Sequence, residues 1–218
     1  MVRHGLAILA LAAMAPPVAG QVPGAASGLS HGMPVDAAPL FDASGYRMAR
    51  YRAPVDRMPA PALRIALADA LKLRPGQDAL FIDVLPAEGG KRDPLSGTWA
   101  LAQTHETIPG ALWHPETGRA SPDVALWHGL HETVAQAREK APGLPVIVFC
   151  RTDCWMAWNA ARRLARDGFG NVHWLAEGIE GWHEAGRTLV RAEPVVISRY
   201  SSGLLNFRLV ILPSRVEV

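Results

Sequence analysis

The sequence predicts an α/β fold, an open parallel sheet with helices packed against it. The first observation is that four short apolar runs lack the alternation of polar and apolar residues that half-exposed strands show. Such runs fit strands buried on both faces of a parallel sheet; they span residues 79–84, 108–113, 145–149 and 171–175. The second observation is that segments with helical spacing of apolar residues lie between the last three runs. Strands that alternate with helices in this way are typical of a parallel sheet.

Two helices are predicted from their capping residues and their spacing. The first begins with Ser121 as the N-cap and Pro122 at the first helical position, and the Pro142-Gly143 pair ends it. The second directly follows the third apolar run and ends at Gly168. Its small and apolar residues recur at i, i+3, i+4 and i+7, at Ala157, Ala160, Ala161 and Leu164.

The first twenty residues differ from the rest of the chain. They combine Arg3, an apolar run over residues 6–15, and small residues before Gln21. This order predicts a secretory signal peptide over residues 1–20, with an uncleaved anchor as the alternative. We therefore expect a periplasmic protein whose mature chain starts near Gln21.

The remaining chain divides by composition into three segments. Residues 21–60 are expected to form an extended N-terminal arm, and residues 61–194 the α/β domain. The pairs Tyr46-Arg47 and Tyr51-Arg52 either brace the arm against the domain or belong to an ordinary linker. Residues 195–218 form a C-terminal tail to which the sequence assigns no structure.

Charge and cysteine content narrow the function classes. Lysine and arginine number 22 against 20 aspartates and glutamates, so the net charge of +2 favours neither nucleic acid nor an anionic membrane surface as a partner. Only two cysteines are present, too few for a disulfide-dense scaffold. In an oxidising compartment two nearby thiols tend to pair. We expect a local cysteine site, no cofactor, and no membrane attachment after signal cleavage.

The candidate site follows the third apolar run. Cys150 is placed at the carboxyl end of a buried strand with a helix next, where the sites of open α/β sheets lie. Backbone N–H groups and the positive end of a helix dipole favour a thiolate there, and Arg151 adds a positive charge. Asp153 is expected to cap the helix, which places Cys154 in its first turn.

Cys150 and Cys154 are therefore the candidate catalytic pair. The backbone N–H groups of residues 151–155 are expected to hold developing negative charge. This interpretation assigns binding of an anion at the loop to four residues, namely Arg151, Thr152, Asp153 and Trp155. Supporting roles are assigned to Asp83 and His114 at other strand ends and to Trp158. The alternatives are a plain structural role for Asp83, a solvated surface position for His114 and core packing for Trp158, which is the commoner use of tryptophan at helical spacing.

The cysteine segment resembles the active-site segment of rhodanese-like domains. Further motifs of that family stand in the right order, namely Leu80-Phe-Ile-Asp83-Val, Thr107-Ile-Pro-Gly-Ala111, Ala160-Ala161 with Leu164 and Gly168-Phe169, and Gly178-Ile-Glu-Gly-Trp182 followed by Gly186. The resemblance covers residues 62–190 and implies a five-stranded parallel sheet with helices on both faces. It also implies that Cys150 takes the position of the nucleophile that forms a persulfide in sulfurtransferases.

The chain departs from the family pattern in its loop. The loop looks one residue longer than that of sulfurtransferases, as in the phosphatase branch, but Met156 stands where a phosphatase needs arginine and cannot grip a phosphate. Cys154 and Trp155 create Cys-x3-Cys-Trp. This closely resembles the CXXCW motif proteins associated with pyrroloquinoline quinone (PQQ)-dependent catabolism. That resemblance implies a setting beside periplasmic alcohol oxidation, with a PQQ-dependent dehydrogenase system or a redox protein as partner.

Two functions remain open from the sequence. In the first, Cys150 attacks an acceptor or carries sulfur, and Cys154 resolves the adduct as a disulfide. In the second, the pair closes a structural disulfide in a binding or maturation module. A soft metal such as Cu(I) could bind the thiols only if histidines converge on them, the candidates being His105, His114 and His173. We predict no metal site.

Overall fold

The computed structural model describes residues 39–198 of the chain. Its strands are β1 (Leu63–Ile65), β2 (Leu80–Asp83), β3 (Lys91–Arg92), β4 (Trp99–Ala100), β5 (His105–Thr107), β6 (Leu112–Trp113), β7 (Val146–Phe149), β8 (Val172–Leu175) and β9 (Val190–Ala192). Its helices are α1 (Leu67–Ala70), α2 (Val124–Lys140), α3 (Trp155–Arg166) and α4 (Gly178–Glu184). The expected signal peptide lies outside the described residues, as do residues 199–218 of the expected tail.

Five parallel strands form the central sheet in the spatial order β1-β8-β7-β2-β6. Strand β7 lies between β2 and β8, and its register pairs Phe149 with Asp83 on one side and with Leu175 on the other. Every residue of β2 and β7 is buried, which accounts for their continuous apolar runs. The predicted α/β class and five-stranded parallel sheet are confirmed. Two short antiparallel pairs, β3-β4 and β5-β9, lie outside this sheet.

Helices cover both faces of the sheet. Successive strand residues point to opposite faces, so each strand contributes to two cores. Ile82 and Val148 pack with residues of α2 and α3, whereas Phe81, Ile147 and Phe149 pack with residues of α1 and α4. None of the helices described between residues 39 and 198 is long and apolar enough to cross a membrane.

The start of α2 differs from the prediction. Its N-cap is Asp123, whose carboxylate accepts hydrogen bonds from the N–H groups of Ala125 (2.9 Å) and Leu126 (3.1 Å). The prediction of Ser121 as N-cap is wrong, because the aspartate two residues later offers a charged acceptor at the right offset to the first turn.

The end of the described chain packs onto the domain. The N–H of Val195 donates to the carbonyl of Trp113 at 2.9 Å, and Arg92 donates to the carbonyl of Ile197. Ile197 is buried, and a Cβ on Gly129 of α2 would meet its side chain. Residues 194–198 of the chain therefore lie along α2 and the β3-β4 pair.

Candidate functional site

The two cysteines lie at the ends of one short loop. Cys150 directly follows β7, and Cys154 is the N-cap of α3. They form a disulfide with their Cα atoms 6.1 Å apart. Cys150 is 1% exposed and Cys154 is 6% exposed, so both are nearly closed off from solvent. The site is therefore a buried disulfide at the carboxyl edge of the sheet.

The start of α4 holds the loop from one side. The N–H of Ile179 donates to the carbonyl of Cys150 at 2.9 Å. The N–H of Thr152 donates to a carboxylate oxygen of Glu180, and its hydroxyl donates to the carbonyl of Glu177, both at 2.7 Å. Gly178 has a φ of 58°, and a Cβ there would lie 2.7 Å from the carbonyl carbon of Arg151. Glycine is required at this position because α4 approaches the loop so closely.

The N-terminal arm holds the loop from the other side. Arg52 forms an antiparallel bridge with Cys154. In this bridge the N–H of Ala53 donates to the carbonyl of Asp153 at 2.9 Å, and the N–H of Trp155 donates to the carbonyl of Tyr51 at 2.7 Å. The Tyr51 hydroxyl in turn accepts a hydrogen bond from the N–H of Ala120 at 3.1 Å. Of the two sequence-based alternatives for the arm, its described part favours bracing against the domain.

Trp155 lies in the core beneath the arm. It is 1% exposed and makes edge contacts with Phe41 and Trp158, at ring-centroid distances of 5.2 and 5.3 Å. The guanidinium of Arg47 lies 4.9 Å from the centroid of Trp155. Trp158 is also buried, and its indole N–H donates to the carbonyl of Arg57 at 2.8 Å. Both tryptophans therefore anchor the arm, and Trp155 lies below the loop instead of at its surface.

Two expectations about the loop need correction. Asp153 does not cap α3: it is exposed with a φ of 55°, and the N-cap is Cys154 without a side-chain capping bond. The antiparallel bridge to the arm, which satisfies the N–H of Trp155, replaces that cap. The N–H groups of Thr152 and Trp155 are already engaged, by Glu180 and Tyr51, so the expected cradle of free N–H groups over residues 151–155 is incomplete.

Asp83 is the centre of a buried polar cluster. It is completely buried, and one carboxylate oxygen lies 2.7 Å from Nε2 of His105 and accepts a bond from the Thr107 hydroxyl at 2.6 Å. The other oxygen accepts the N–H of Leu85 at 2.8 Å. His105 was considered only as a metal ligand from the sequence. The sequence signal that could have indicated this cluster is the spacing of His105 and Thr107. Residues two apart in a strand point to the same side, so both lie on one face of β5.

Arg151 borders a small cavity beside the loop. The cavity holds about 50 Å³, and His105, Trp113 and Leu85 share its wall with Arg151. Within residues 39–198 the Arg151 guanidinium has no hydrogen-bond or ion-pair partner. It is therefore an uncompensated positive charge next to Cys150.

The described residues contain no group of three or more histidine, cysteine, aspartate or glutamate side chains that could hold a metal ion. The three histidines considered as metal ligands have different surroundings in the fold. His105 binds Asp83, Nε2 of His173 lies 2.8 Å from the Asn171 side-chain oxygen, and His114 is buried with both ring nitrogens unpartnered.

Comparison with known proteins gives the family. The profile of the Rhodanese-like domain matches residues 67–185, more than half of the chain. The chain belongs to the rhodanese-like family. The matched range begins at α1 and ends just after α4, so it includes both cysteines and the loop that joins them. No curated protein matches the chain.

Solved structures similar to the rhodanese-like domain include two sulfurtransferases. A polysulfide-sulfur transferase homodimer from Wolinella succinogenes is 22% identical, covering 59% of this chain and 78% of that one, with a TM-score of 0.36. A thiosulfate sulfurtransferase from Pseudomonas aeruginosa is also 22% identical, covering 61% of this chain and 21% of that one, with a TM-score of 0.34.

His114 is a titratable group buried inside the rhodanese-like domain. It follows β6, and its exposed fraction is 0%. Burial, which disfavours the charged imidazolium, lowers the pKa of His114 to about 3. The side chain is therefore neutral at pH 7.

This buried histidine should make the domain acid-sensitive. Because the ordinary pKa of histidine is about 6.5, the unfolded chain takes up a proton between pH 6.5 and 3 that the folded chain does not. The contribution of His114 to the free energy of unfolding is therefore fully present above about pH 6.5 and is lost as the pH falls toward 3. Urea denaturation should show a loss of about 2 kcal/mol between pH 7 and pH 5 that a His114→Gln variant lacks. An equal loss in the variant would contradict this assignment.

Proposed function

We propose that this protein is a dithiol–disulfide exchange protein on a rhodanese-like scaffold, with Cys150 as the nucleophile and Cys154 as the resolving thiol. The observation that carries the proposal is that both cysteines of the chain are joined across the β7-α3 loop. Cys150 thus has a partner within the same loop that can release any adduct formed on it.

The exchange can be written with two kinds of partner. With thiols, the disulfide and two R–SH molecules give two protein thiols and R–S–S–R, the first thiolate forming a bond to the Cys150 sulfur while the electron pair leaves on Cys154. With a persulfide on Cys150, the Cys154 thiolate attacks the inner sulfur and hydrosulfide leaves with the electron pair. The reaction with thiols ends in the protein dithiol, and the reaction of the persulfide ends in the Cys150–Cys154 disulfide.

We further propose a periplasmic setting beside PQQ-dependent alcohol oxidation. The support comes from the sequence: the signal-peptide pattern of residues 1–20 and the Cys-x3-Cys-Trp segment that resembles the CXXCW motif proteins. In that setting a PQQ-dependent dehydrogenase system or a redox protein would be the partner, and an oxidising compartment would maintain the disulfide.

A second candidate function is a binding or maturation module with a structural disulfide. The burial of both cysteines, 1% and 6% exposed under the arm, favours it. The two functions differ in redox behaviour, since structural disulfides resist reduction and have potentials below about −300 mV.

The test is a redox titration of the purified protein. The protein is equilibrated with mixtures of reduced and oxidised dithiothreitol and alkylated, and the dithiol fraction is read from intact masses. We expect a reversible two-electron transition at a potential less negative than about −300 mV. A transition well below that value, or reduction only after unfolding, would support the structural disulfide and contradict the exchange function.

A further inference from the structure

We propose that residues 48–56 of the N-terminal arm, called the strap below, gate the cysteine pair by opening locally and admitting reactants to the disulfide. This inference rests on the proposed function, because it names the regulation of the same site. Cys150 is 1% exposed and Cys154 is 6% exposed, so the closed structure leaves almost no surface at which a thiol from solution could attack. Exchange by the folded protein therefore requires a segment beside the loop to move.

The strap lies between two anchors that attach its ends to α3. Before the strap, the Asn159 side chain accepts the N–H of Arg47 and donates to the Arg47 carbonyl, both at 2.9 Å. After the strap, the indole N–H of Trp158 donates to the carbonyl of Arg57 at 2.8 Å. Asn159 and Trp158 are both buried. The strap can therefore move away from the loop while both of its ends stay attached to the helix.

One face of the strap shields the cysteine pair. Tyr51, Ala53 and Val55 are half-buried and pack against the core cluster that contains both cysteines. Arg52 and Pro54, which lie between them in the sequence, are exposed. This alternation is that of an extended segment, whose successive side chains point to opposite sides. Opening of the strap would remove three inward side chains from the cluster around the disulfide.

The middle of the strap is held by few interactions. Tyr51 and Ala53 each make one backbone hydrogen bond to the loop, and the Tyr51 hydroxyl accepts the N–H of Ala120. The ion pair of Arg52 with Glu180 has an N–O distance of 3.5 Å, and solvent weakens it because the two side chains are 59% and 35% exposed. Segments with few buried contacts open at a lower free-energy cost than the core. We therefore expect the strap to open while the domain stays folded.

Helix α4, on the other side of the loop, is less suited to be the gate. Its Trp182 is buried in a core cluster with Phe81 and Phe149, and the rings of Trp182 and Phe81 lie 6.0 Å apart. Displacing α4 would break this cluster as well as the bonds to the loop. Because the strap can leave without such a loss, it is the side of the loop that opens more easily.

The strap also acts on the cysteine that leaves in the exchange. Cys154 is the N-cap of α3, has no side-chain capping bond, and forms the antiparallel bridge with Arg52 of the strap. The strap binds the residues on both sides of it, since Asp153 accepts from Ala53 and Trp155 donates to the carbonyl of Tyr51. Opening therefore frees the backbone that fixes Cys154, at the moment when a thiol can attack Cys150.

The test measures the rate at which a low concentration of dithiothreitol reduces the disulfide of the purified protein. The dithiol fraction is read from intact masses after alkylation, at several urea concentrations below the unfolding transition. Tyr51→Phe removes the hydroxyl that accepts the Ala120 N–H and keeps the ring. Tyr46→Phe is the matched control, because Tyr46 belongs to the arm outside the strap and its hydroxyl is hydrogen-bonded to no residue between 39 and 198.

We expect reduction to be about fivefold faster in Tyr51→Phe and unchanged in Tyr46→Phe, because loss of one hydrogen bond shifts the opening equilibrium by about this factor. Ala53→Pro removes the N–H that bonds Asp153 and should accelerate reduction by about fivefold or more. Val134→Ala removes methyl groups from a fully buried side chain of α2, away from the strap, and destabilises the whole domain. It should leave the rate unchanged, since it does not affect local opening.

The dependence on urea separates local opening from unfolding. Local opening exposes little surface, so the logarithm of the rate should rise with urea much less steeply than that of the unfolding equilibrium constant. An unchanged rate in either strap variant, or an equal increase in Tyr46→Phe, would overturn the gating role and leave the exchange function standing. A rate that follows the unfolding equilibrium, and that also rises in Val134→Ala, would contradict both the exchange function and this inference.

Discussion

Replacing Asn159 with leucine is expected to destabilise the protein by about 3 kcal/mol and to release the N-terminal arm. Asn159 is completely buried on α3 and binds two segments at once. Its side-chain oxygen accepts the N–H of Arg47, and its amide nitrogen donates to the carbonyls of Arg47 and Gly118, each at 2.9 Å. Leucine has a similar volume but leaves these three backbone groups without partners, and each unsatisfied buried group costs about 1–3 kcal/mol.

Urea denaturation measures the loss of stability, and limited proteolysis measures the release of the arm. Arg166→Ala is the matched control, since Arg166 also joins α3 to the arm, through the carbonyl of Ser44 at 3.1 Å, but is exposed. The control should change the free energy of unfolding by about 0.5 kcal/mol or less. Equal effects of the two substitutions would show that the buried amide does not hold the arm.

The central part of the fold follows from local sequence patterns. Four apolar runs predict β2, β6, β7 and β8, because burial on both faces leaves no polar positions in the inner strands. The edge strand β1 was not predicted; its residues Leu63 and Arg64 are exposed, so it carries no continuous apolar signal. The helix starts were displaced because several residues near each start can act as a cap, and only the folded backbone selects among them.

The site is only partly predictable for a different reason. The positions of Cys150 and Cys154 follow from a strand followed by a helix, which is local information. Arg47 and Asn159 stand 112 residues apart, and Thr152 and Glu180 stand 28 apart. Contacts between distant segments depend on the packing of the arm and of α4 onto the loop, and no periodicity in the sequence reports them. Two of the expected free N–H groups of the loop, those of Thr152 and Trp155, are therefore already occupied in the structure.

A Cys154→Ser variant is expected to retain a stable mixed disulfide on Cys150. The Cys150 thiolate attacks a small neutral disulfide, forms a bond to one of its sulfurs and releases the other as a thiolate. In the wild-type protein the Cys154 thiolate then attacks Cys150 and expels the adduct, closing the disulfide across the loop. Without Cys154 this second step has no nucleophile, so the adduct remains.

The measurement is the intact mass of reduced protein after exposure to 2-hydroxyethyl disulfide, followed by mapping of the modified peptide. Cys154→Ser should carry close to one adduct per chain on Cys150, while the wild-type protein should carry almost none and show the closed disulfide. Cys150→Ser serves as the control and should be modified much more slowly. A Cys154→Ser protein that stays unmodified, or adducts that form equally on either remaining cysteine, would contradict the assignment of Cys150 as nucleophile and Cys154 as resolving thiol.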